Sequence, residues 1–544
     1  MNLLSVIPVP DLLCADAAVR VNVAALRQTL VFAFAAGGAM DAFDDAVNKA
    51  SLPPSSWNRS SFRRDIYFDE LIEHSLAIRI GATDYRTCSG YLARVVGEPP
   101  RDPRHVELRR AVLSELASSP DMRGALERVY VSIVRLRTLL SAARQPAPRV
   151  RRVEILRAAR DAFEAIASSF GGATSALARL GDFGKAVVST DAYRRIVALL
   201  DHDEHLSSLD LRVRIGADGE VRAMEIVAVR ENRENPFYAS ALRRLVLRFV
   251  LLLRGYRTTG GEVAERLLSE AFAGIEEPVA LLFQLLGDIE PYLASLTFRD
   301  RALSKGLAVS LPEITDHGEL RLEGLFNPLL VDAGIVPVPC DVRAAPGALV
   351  VVTGPNSGGK TRLLQAIAIA QLFAEAGLFA PVRAASLPRA SGLFASLFEE
   401  ARSDQPEGHL GMELLRIRRM FDEVDVGALV VIDELCSGTN PSEGEEIARL
   451  VLSLLPELGV QAFVTTHLLQ FAARLAEERA IPALDFLQVD LDAYERPTYR
   501  FVPGVARTSL AHKTAARLGV TREELLERIA AKRRARARGG GGER

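Results

Sequence analysis

The most informative segment of the chain runs from Val350 to Thr361 and reads VVVTGPNSGGKT. Residues 348–352, which overlap its start, form a nearly continuous apolar run, which is typical of a strand buried in a parallel sheet. The pattern G-x-x-x-x-G-K-[ST] is then matched by Gly354, Pro355, Asn356, Ser357, Gly358, Gly359, Lys360 and Thr361. Residues 363–370 are rich in helix formers and contain neither glycine nor proline. The segment therefore predicts a strand, a glycine-rich loop and a helix in succession.

A loop in this position suits phosphate. Free backbone N–H groups and the positive end of the helix dipole meet where the helix begins, and both favour an anion. Gly354, Gly358 and Gly359 allow the backbone to approach phosphate oxygens closely. Lys360 would reach the β- and γ-phosphates, and the Thr361 hydroxyl would hold Mg²⁺. The alternative is a glycine-rich turn without a ligand, since so short a pattern also occurs by chance.

Two further buried-strand patterns end in polar residues. Residues 427–432 lead into Asp433 and Glu434, and residues 461–466 lead into His467. An acid at such a strand end can hold Mg²⁺, and the next acid can orient or deprotonate an attacking water. Because the three strands fit one parallel sheet, we interpret the chain as a nucleotide hydrolase, with Asp433 as a metal ligand and Glu434 as the residue that acts on water.

The composition is that of a globular protein without an overall electrostatic bias. The 544 residues are 49% hydrophobic and 25% charged, with a net charge of −2. Any nucleic-acid contact must then come from local patches. The four cysteines form no C-x-x-C pair, which argues against a zinc site or disulfide framework. There is no signal-peptide pattern, and the most apolar run, residues 245–253, is too short to span a bilayer, so we expect a cytoplasmic protein without membrane contact.

The chain ahead of the loop is predicted to be mainly helical. We expect a mostly helical part over 1–105, a helical core and lever over 106–319, a nucleotide domain over 320–530 and a flexible basic tail over 531–544. A pattern near 211–230 alternates around an Asp-Gly turn and predicts a small β-hairpin inserted among the helices.

Three local patterns have two interpretations each. Arg149–Arg152 fits a solvated corner between two helices or a tip that contacts phosphate. Lys532–Arg538 fits a frayed, solvated end or a weak DNA contact. His202–His205 fits a polar helix end better than a metal site, because further ligands are missing nearby.

The motifs as a whole resemble the ATPase domain of the MutS family, which are DNA mismatch-repair ATPases of the ABC-type class. The resemblance rests on Gly354–Thr361, on Asp433–Gly444 and on Thr465–His467. Phe326–Leu330 is similar to the segment that enters this domain, and residues 501–519 are similar to its end and its helical dimer contact. The sequence of Asp433–Gly444 is closer to that of short MutS-like proteins and of the second bacterial subfamily than to that of mismatch-recognising members.

The resemblance implies an α/β ABC-type P-loop ATPase domain that follows a helical core and lever, binds ATP and Mg²⁺ and works as a homodimer. ATP would lie between the loop around Lys360 of one subunit and the Gly408–Glu413 region of the other. Glu434 would orient water, and His467 would sense the γ-phosphate. DNA is the partner that the resemblance implies, in repair or recombination. The alternative is an ABC-type ATP switch whose helical arm binds a protein and not DNA.

The chain departs from the family pattern in several places. Phe68 begins a Phe-x-Glu triplet, but in a helix-like stretch without the glycines of a mismatch wedge, so we expect DNA shape to matter more than single mismatches. The nuclease domain of the second subfamily is not expected in the short stretch after Ala530. Asn327 stands where the family has His. Gly408, five residues before Glu413, stands where the family has Ser, so hydrolysis is expected to be slow or differently tuned.

Overall fold

The computed structural model describes residues 7–142, 148–205, 208–215, 221–230, 268–398, 408–435, 440–507 and 520–539. Contacts between residues divide the chain into two compact units. The helical unit comprises Met1–Pro54, Ala77–Val95 and Asp102–Thr297, and the α/β unit comprises Ser55–Leu76, Val96–Arg101 and Phe298–Arg544. The sequence predicts that the nucleotide domain begins near residue 320. In the structure, the continuous part of the α/β unit begins at Phe298, and two N-terminal segments also belong to this unit.

The helical unit is built mainly from helices, as predicted. Those that lie wholly or mostly in it are Val23–Ala36, Met40–Asn48, Ser89–Gly97, Pro103–Ser118, Pro120–Ser141, Pro148–Ser169, Ala178–Val188, Asp191–His205 and Glu276–Ser304. Two antiparallel strand pairs accompany them, β1 (Ile78–Ile80) with β2 (Thr83–Tyr85) and β3 (Ser208–Ile215) with β4 (Val221–Arg230). The predicted hairpin is confirmed by the second pair, in which Leu211 lies opposite Ile226.

Helix Pro120–Ser141 illustrates how these helices form. The Ser119 side chain accepts a hydrogen bond from the Met122 backbone N–H at 3.3 Å, and Pro120 occupies a first-turn position where its missing N–H is not needed. Its buried face comprises Leu126, Val129, Tyr130, Ile133, Leu136 and Leu140, which recur at steps of one to four residues. The helical spacing of apolar residues in the sequence therefore coincides with the buried side of this helix.

The basic corner that follows this helix contains a structural arginine. Arg151 is buried, and its guanidinium donates hydrogen bonds to the carbonyl oxygens of Ala33, Phe34, Leu139 and Leu140. Burial also lowers the pKa of Arg151. The interpretation of this corner as a phosphate-contacting tip is therefore wrong for Arg151, whose donors are already used by the protein's own carbonyls.

A buried ionic cluster ties the N-terminal segment to the long helix Glu276–Ser304. The Arg20 guanidinium donates to the Asp288 carboxylate, to the Tyr91 hydroxyl and, at 3.4 Å, to Asp11. Burial raises the pKa of Asp288 to about 6, although Arg20 opposes the shift. Within the described part of the chain, this helix alone is long and apolar enough to cross a membrane. Its apolar stretch is fully buried in the protein, as in a core helix.

The α/β unit contains two sheets. Its strands are β5 (Glu313–Thr315), β6 (Leu320–Leu325), β7 (Cys340–Ala344), β8 (Leu349–Thr353), β9 (Ala384–Pro388), β10 (Leu393–Ser396), β11 (Leu429–Ile432), β12 (Gln461–Thr465), β13 (Leu484–Leu491) and β14 (Pro497–Pro503). Six of them form one sheet in the order β10-β11-β12-β8-β13-β14, and the smaller sheet has the order β5-β9-β6-β7. In the larger sheet, β14 is antiparallel and the other five strands are parallel. The three strands predicted from sequence are thus neighbours, as β11, β12 and β8.

The α/β unit also contains helices. They are Pro328–Asp332, Lys360–Glu375, Gly408–Glu423, Pro441–Leu454, Leu469–Glu478 and Arg522–Gly539. Every residue of β8, β11 and β12 is buried, as expected for central parallel strands. Their carboxyl ends therefore meet at one edge of the sheet, where the motif residues follow.

The C-terminal end of the unit differs in part from its prediction. Thr521 caps helix Arg522–Gly539, because its hydroxyl accepts the Glu524 N–H at 3.3 Å and donates to the Glu524 carboxylate at 3.0 Å. Residues 531–539, which the sequence assigns to the basic tail, continue helix Arg522–Gly539 in the structure. Residues 508–519, in the stretch that is similar to the family's helical dimer contact, lie outside the described residues.

Candidate active site

The glycine-rich loop joins β8 to helix Lys360–Glu375 at the edge where the parallel strands end. Gly354 has φ 144°, and a Cβ at this position would lie 2.5 Å from Val489 Cγ2. Gly359 has φ 90° and stands immediately before the helix. Both glycines that the pattern fixes, Gly354 and Gly359, therefore have a backbone conformation that other residues rarely adopt.

Lys360 is held inside this loop. Its Nζ donates to the carbonyl oxygens of Gly354 at 3.1 Å and Pro355 at 3.3 Å, and the residue is only 6% exposed. Burial lowers the pKa of Lys360, while the nearby Glu434 and Asp433 carboxylates oppose the shift. The loop thus holds a desolvated ammonium close to its own backbone, where an anion would be a stronger partner than two neutral carbonyls.

The Asp433 carboxylate joins three parts of the chain that are distant in sequence. The Thr361 hydroxyl donates to one of its oxygens, and the Thr465 hydroxyl donates to the other. Thr465 Oγ1 also accepts the backbone N–H of Glu434 at 2.9 Å. The structure therefore brings the predicted residues Thr361, Asp433 and Glu434 together. The sequence did not predict a role for Thr465, the residue that aligns them.

Glu434 and His467 lie side by side at this edge. His467 Nδ1 is 3.9 Å from Glu434 Oε2, and the two side chains are 40% and 37% exposed. Glu434 has φ 49°, a left-handed conformation that is rare for this residue type and is often found at functional sites. The carboxylate is therefore accessible to solvent and close to an imidazole, as a group that acts on water needs to be.

Arg416 is a site residue that the sequence did not indicate. Its guanidinium donates to Ser396 Oγ at 2.6 Å, to the Ser396 carbonyl at 2.7 Å and to the Asp433 carbonyl at 3.0 Å. The buried Glu413 carboxylate lies 3.5 Å from the same guanidinium. Helix Gly408–Glu423 is therefore fastened to the strand end that carries Asp433. That Gly408 faces a second subunit stays a prediction.

A cavity of about 730 Å³ opens beside the loop. Its polar end is formed by residues 356–361 with Asp433 and Glu434, and its apolar part is lined by Leu325, Phe326, Leu330, Ile335, Val336, Pro337, Val338, Phe398, Tyr499 and Phe501. The volume is in the range of small-ligand sites. The lining suits a ligand with several negative charges at one end and a flat apolar group at the other.

The donor set fits Mg²⁺ better than a transition metal. Among the described residues, no group of three or more His, Cys, Asp or Glu side chains could hold a metal by itself. Thr361 and Asp433 offer a hydroxyl and a carboxylate in direct contact. Mg²⁺ commonly takes one or two such oxygens from a protein and completes its shell with water and phosphate oxygens. The side chains of His202–His205 lie outside the described residues.

Comparison with known proteins gives a family for the same part of the chain. Residues 350–532 match the family described as MutS domain V. The chain is 35% identical over 264 residues to Endonuclease MutS2 of Thermus thermophilus, a match that covers 48% of this chain and 34% of that relative. It is 33% identical over 216 residues to Endonuclease MutS2 of Streptococcus thermophilus, which covers 39% of this chain and 26% of the relative. The chain thus spans about a third and about a quarter of these two relatives.

The geometry of Gly354 yields a prediction about ligand binding. Gly354→Ala is expected to displace the loop, since the new Cβ would meet the Val489 side chain, and to weaken binding of a fluorescent ATP analogue by roughly tenfold or more. Gly347→Ala is the control, because Gly347 has φ 64° but no atom lies within 4 Å of an added Cβ. Both variants have a strained backbone, and only the first has the clash. Equal nucleotide affinity in the two variants would contradict the role given to the loop.

Proposed function

This chain belongs to the MutS family, and from that premise we propose that it is a Mg²⁺-dependent ATPase that works as a homodimer and acts on DNA in repair or recombination. The observation that carries the ATPase part is the convergence of Thr361 and Thr465 on the Asp433 carboxylate beside the loop of Lys360. The relatives are named endonucleases, but the chain spans about a third of the first of them. The proposal is therefore restricted to the chemistry that the described site supports.

The loop and its lysine would bind the phosphates. Backbone N–H groups at the start of helix Lys360–Glu375 would donate to phosphate oxygens, and the helix dipole favours the same charge. Lys360 Nζ would exchange the carbonyls of Gly354 and Pro355 for the β- and γ-phosphates, which gains a charge-assisted hydrogen bond. Asn356, Ser357, Gly358 and Gly359 complete the phosphate-binding loop.

Thr361 and Asp433 would hold Mg²⁺, which when bound supplies positive charge against the developing charge on the transferred phosphoryl group. In the proposed reaction, a water oxygen attacks the γ-phosphorus in line, the bond to the bridging oxygen breaks, and ADP and phosphate leave. Glu434 would orient that water from its accessible position. His467, beside Glu434, would contact the γ-phosphate and so sense whether it is present.

The apolar part of the cavity would take the base. Ile335, Val336 and Tyr499 are partly exposed around it, and the Tyr499 ring also lies against the loop, with Cδ1 3.4 Å from where a Gly359 Cβ would be. Burying the flat base among these side chains would be favourable because apolar surface leaves water. This contact would fix the nucleotide at the end opposite to the reacting phosphate.

A second subunit would complete the site. An ABC-type arrangement places the region of Gly408–Glu413 from one subunit against the γ-phosphate bound by the other. Gly408 begins helix Gly408–Glu423, so its backbone N–H belongs to a helix N-terminus that would favour the phosphate. The missing hydroxyl at this position is the reason to expect slow or differently tuned hydrolysis.

DNA would be recognised by shape. Phe68 is buried against Phe62, with ring centroids 5.8 Å apart, so it is not available as a wedge between base pairs. The net charge of −2 offers no general attraction to DNA. Local basic residues on Lys532–Arg538 and the hairpin β3–β4 would contact backbone and groove shape without reading bases. The compartment that we propose is the cytoplasm.

The first functional prediction concerns turnover. Glu434→Gln is expected to keep ATP affinity and to lower the rate of hydrolysis by roughly ten- to a thousandfold, because the amide cannot accept a proton from water. Lys360→Ala should instead weaken ATP binding. Glu446→Gln, at an exposed position on the helix that follows, is the matched control and should behave like the unsubstituted protein. Normal turnover in Glu434→Gln would remove this residue as the catalytic carboxylate.

The second concerns assembly. Glu434→Gln with ATP and Mg²⁺ is expected to accumulate as a dimer, because the nucleotide joins two subunits and is not consumed. Light scattering measures the mass, and ADP in place of ATP is the control. A chain that stays monomeric at every concentration while it hydrolyses ATP would exclude the shared site.

The third concerns DNA. Binding is expected to weaken steeply with salt and to prefer a single mismatch over matched duplex by less than about threefold. Branched DNA should compete better than linear duplex. Competition binding with matched, mismatched and four-way-junction DNA at two salt concentrations is the test. A tenfold mismatch preference would overturn recognition by shape. Absence of DNA binding at low salt would favour the alternative function, an ABC-type ATP switch whose helical arm binds a protein partner.

A further inference from the structure

An N-terminal segment of the chain is built into the α/β unit. We call residues Ser55–Leu76 the strap. The strap runs beside β10, the edge strand of the larger sheet. Ser56 Oγ donates to the Ser391 carbonyl at 2.6 Å, Trp57 Nε1 donates to the Ala390 carbonyl at 3.2 Å, and Ser61 Oγ donates to the Leu393 carbonyl at 2.6 Å. The strap therefore occupies backbone acceptors along and just before this strand.

Asp65 is the strap residue that reaches the end of β10. It is 6% exposed, and its Oδ1 accepts the backbone N–H groups of Leu397 at 2.6 Å and Phe398 at 3.0 Å. Its other oxygen lies 3.6 Å from the Arg64 guanidinium. Two hydrogen bonds from backbone N–H groups to one buried carboxylate oxygen are charge-assisted and fix the direction of the chain at that point.

The residues that Asp65 holds adjoin the proposed ATP site directly. Ser396, next to Leu397, accepts the backbone N–H of Asp433 at 2.9 Å through its carbonyl. Phe398 forms part of the cavity wall. The Tyr67 ring packs on Phe398 with centroids 5.3 Å apart, and Tyr67 has φ 51°, so the strap itself has an unusual backbone at this contact.

A second route runs from Asp65 to the helix of the phosphate-binding loop. Gln365, on helix Lys360–Glu375, donates from Nε2 to the Asp65 carbonyl at 3.0 Å. Gln365 Oε1 accepts from the Arg362 guanidinium at 2.8 Å and from Asn327 Nδ2 at 3.3 Å. Asn327, Gln365 and Asp65 are buried, so the connection is shielded from water. Asp65 is thus bonded to both the helix after the loop and the strand end beside Asp433.

We propose that Asp65 is a positioning residue of the ATP site, which holds the end of β10 so that Phe398 and Asp433 keep the geometry that hydrolysis needs. The proposal rests on the ATPase function proposed above. Asp65 touches neither nucleotide nor metal in this scheme and acts through Ser396–Phe398. A displacement of about 1 Å at reacting groups can cost on the order of a hundredfold in rate, so a distant carboxylate can matter for turnover.

The competing explanation is that the strap only covers an exposed sheet edge. Edge strands need such protection, because their free backbone groups can pair with other chains. A cover would affect stability and solubility but not the concentration of Mg²⁺ that turnover requires. The two explanations therefore differ in the Mg²⁺ concentration that they predict for half-maximal turnover.

The test compares Asp65→Ala and Asp65→Asn with Asp69→Asn in the full chain. Asp69 lies on the same strap but is exposed and pairs with Arg63. We expect Asp65→Ala to lower kcat by about ten- to a hundredfold and to raise the Mg²⁺ concentration for half-maximal turnover, with a smaller change in KM for ATP. Asp65→Asn keeps an acceptor without the charge and should show a smaller loss. Asp69→Asn should match the unsubstituted protein.

Tryptophan fluorescence can report on the strap. Trp57 is the single tryptophan of the chain and is buried in the strap, so its emission shows whether the strap stays in place. Slower turnover with buried Trp57 emission would support positioning by Asp65. Unchanged kcat and Mg²⁺ dependence in a folded Asp65→Ala would overturn it, as would equal losses in Asp65→Ala and Asp69→Asn. If Asp65→Ala does not fold, Asp65→Asn decides in the same way. Failure of the unsubstituted protein to hydrolyse ATP would instead contradict the ATPase function.

Discussion

The arrangement of the site depends on one carboxylate that receives two hydroxyl groups. Asp433 ends β11, and its oxygens are bonded by Thr361 from the helix after the loop and by Thr465 from the end of β12. A half-buried carboxylate with two such donors has little freedom to rotate. Because Glu434 follows directly and its N–H is bonded to Thr465, its position depends on the same group. The parallel sheet supplies the setting, since it brings three strand ends to one edge.

Much of the α/β unit could be predicted because its signals are local. The apolar runs of β8, β11 and β12 and the glycines of the loop are set by a few neighbouring residues each. Thr465, Arg416 and Tyr499 were missed because their roles come from partners far along the chain. The residues next to Arg416 in the sequence do not indicate that its guanidinium contacts the carbonyls of Ser396 and Asp433. Such contacts form only when the fold has brought distant residues together.

The division of the chain was predicted less well, for a related reason. Helical spacing shows which face of a segment is buried but not which unit buries it. Residues 55–76 have ordinary local patterns, yet their polar side chains are bonded to backbone near β10. The end of the chain shows that composition alone does not decide whether a basic segment is helical. A basic, glycine-rich end is typical of a solvated tail, but its arginines and alanines also favour a helix, and the helix continues to Gly539.

The α/β unit is assembled from three separate stretches of the chain, and this affects how it could be exchanged in evolution. Many domains are continuous in sequence, so one recombination event can move them between genes. A gene segment that starts near β5 would encode every strand of the larger sheet but not the strap, whose residues lie along the edge strand β10. The recipient would gain a sheet with an open side, which promotes association between chains. The α/β unit and the chain segments that flank the strap in sequence are therefore expected to be inherited together, and to diverge as one protein rather than as interchangeable modules.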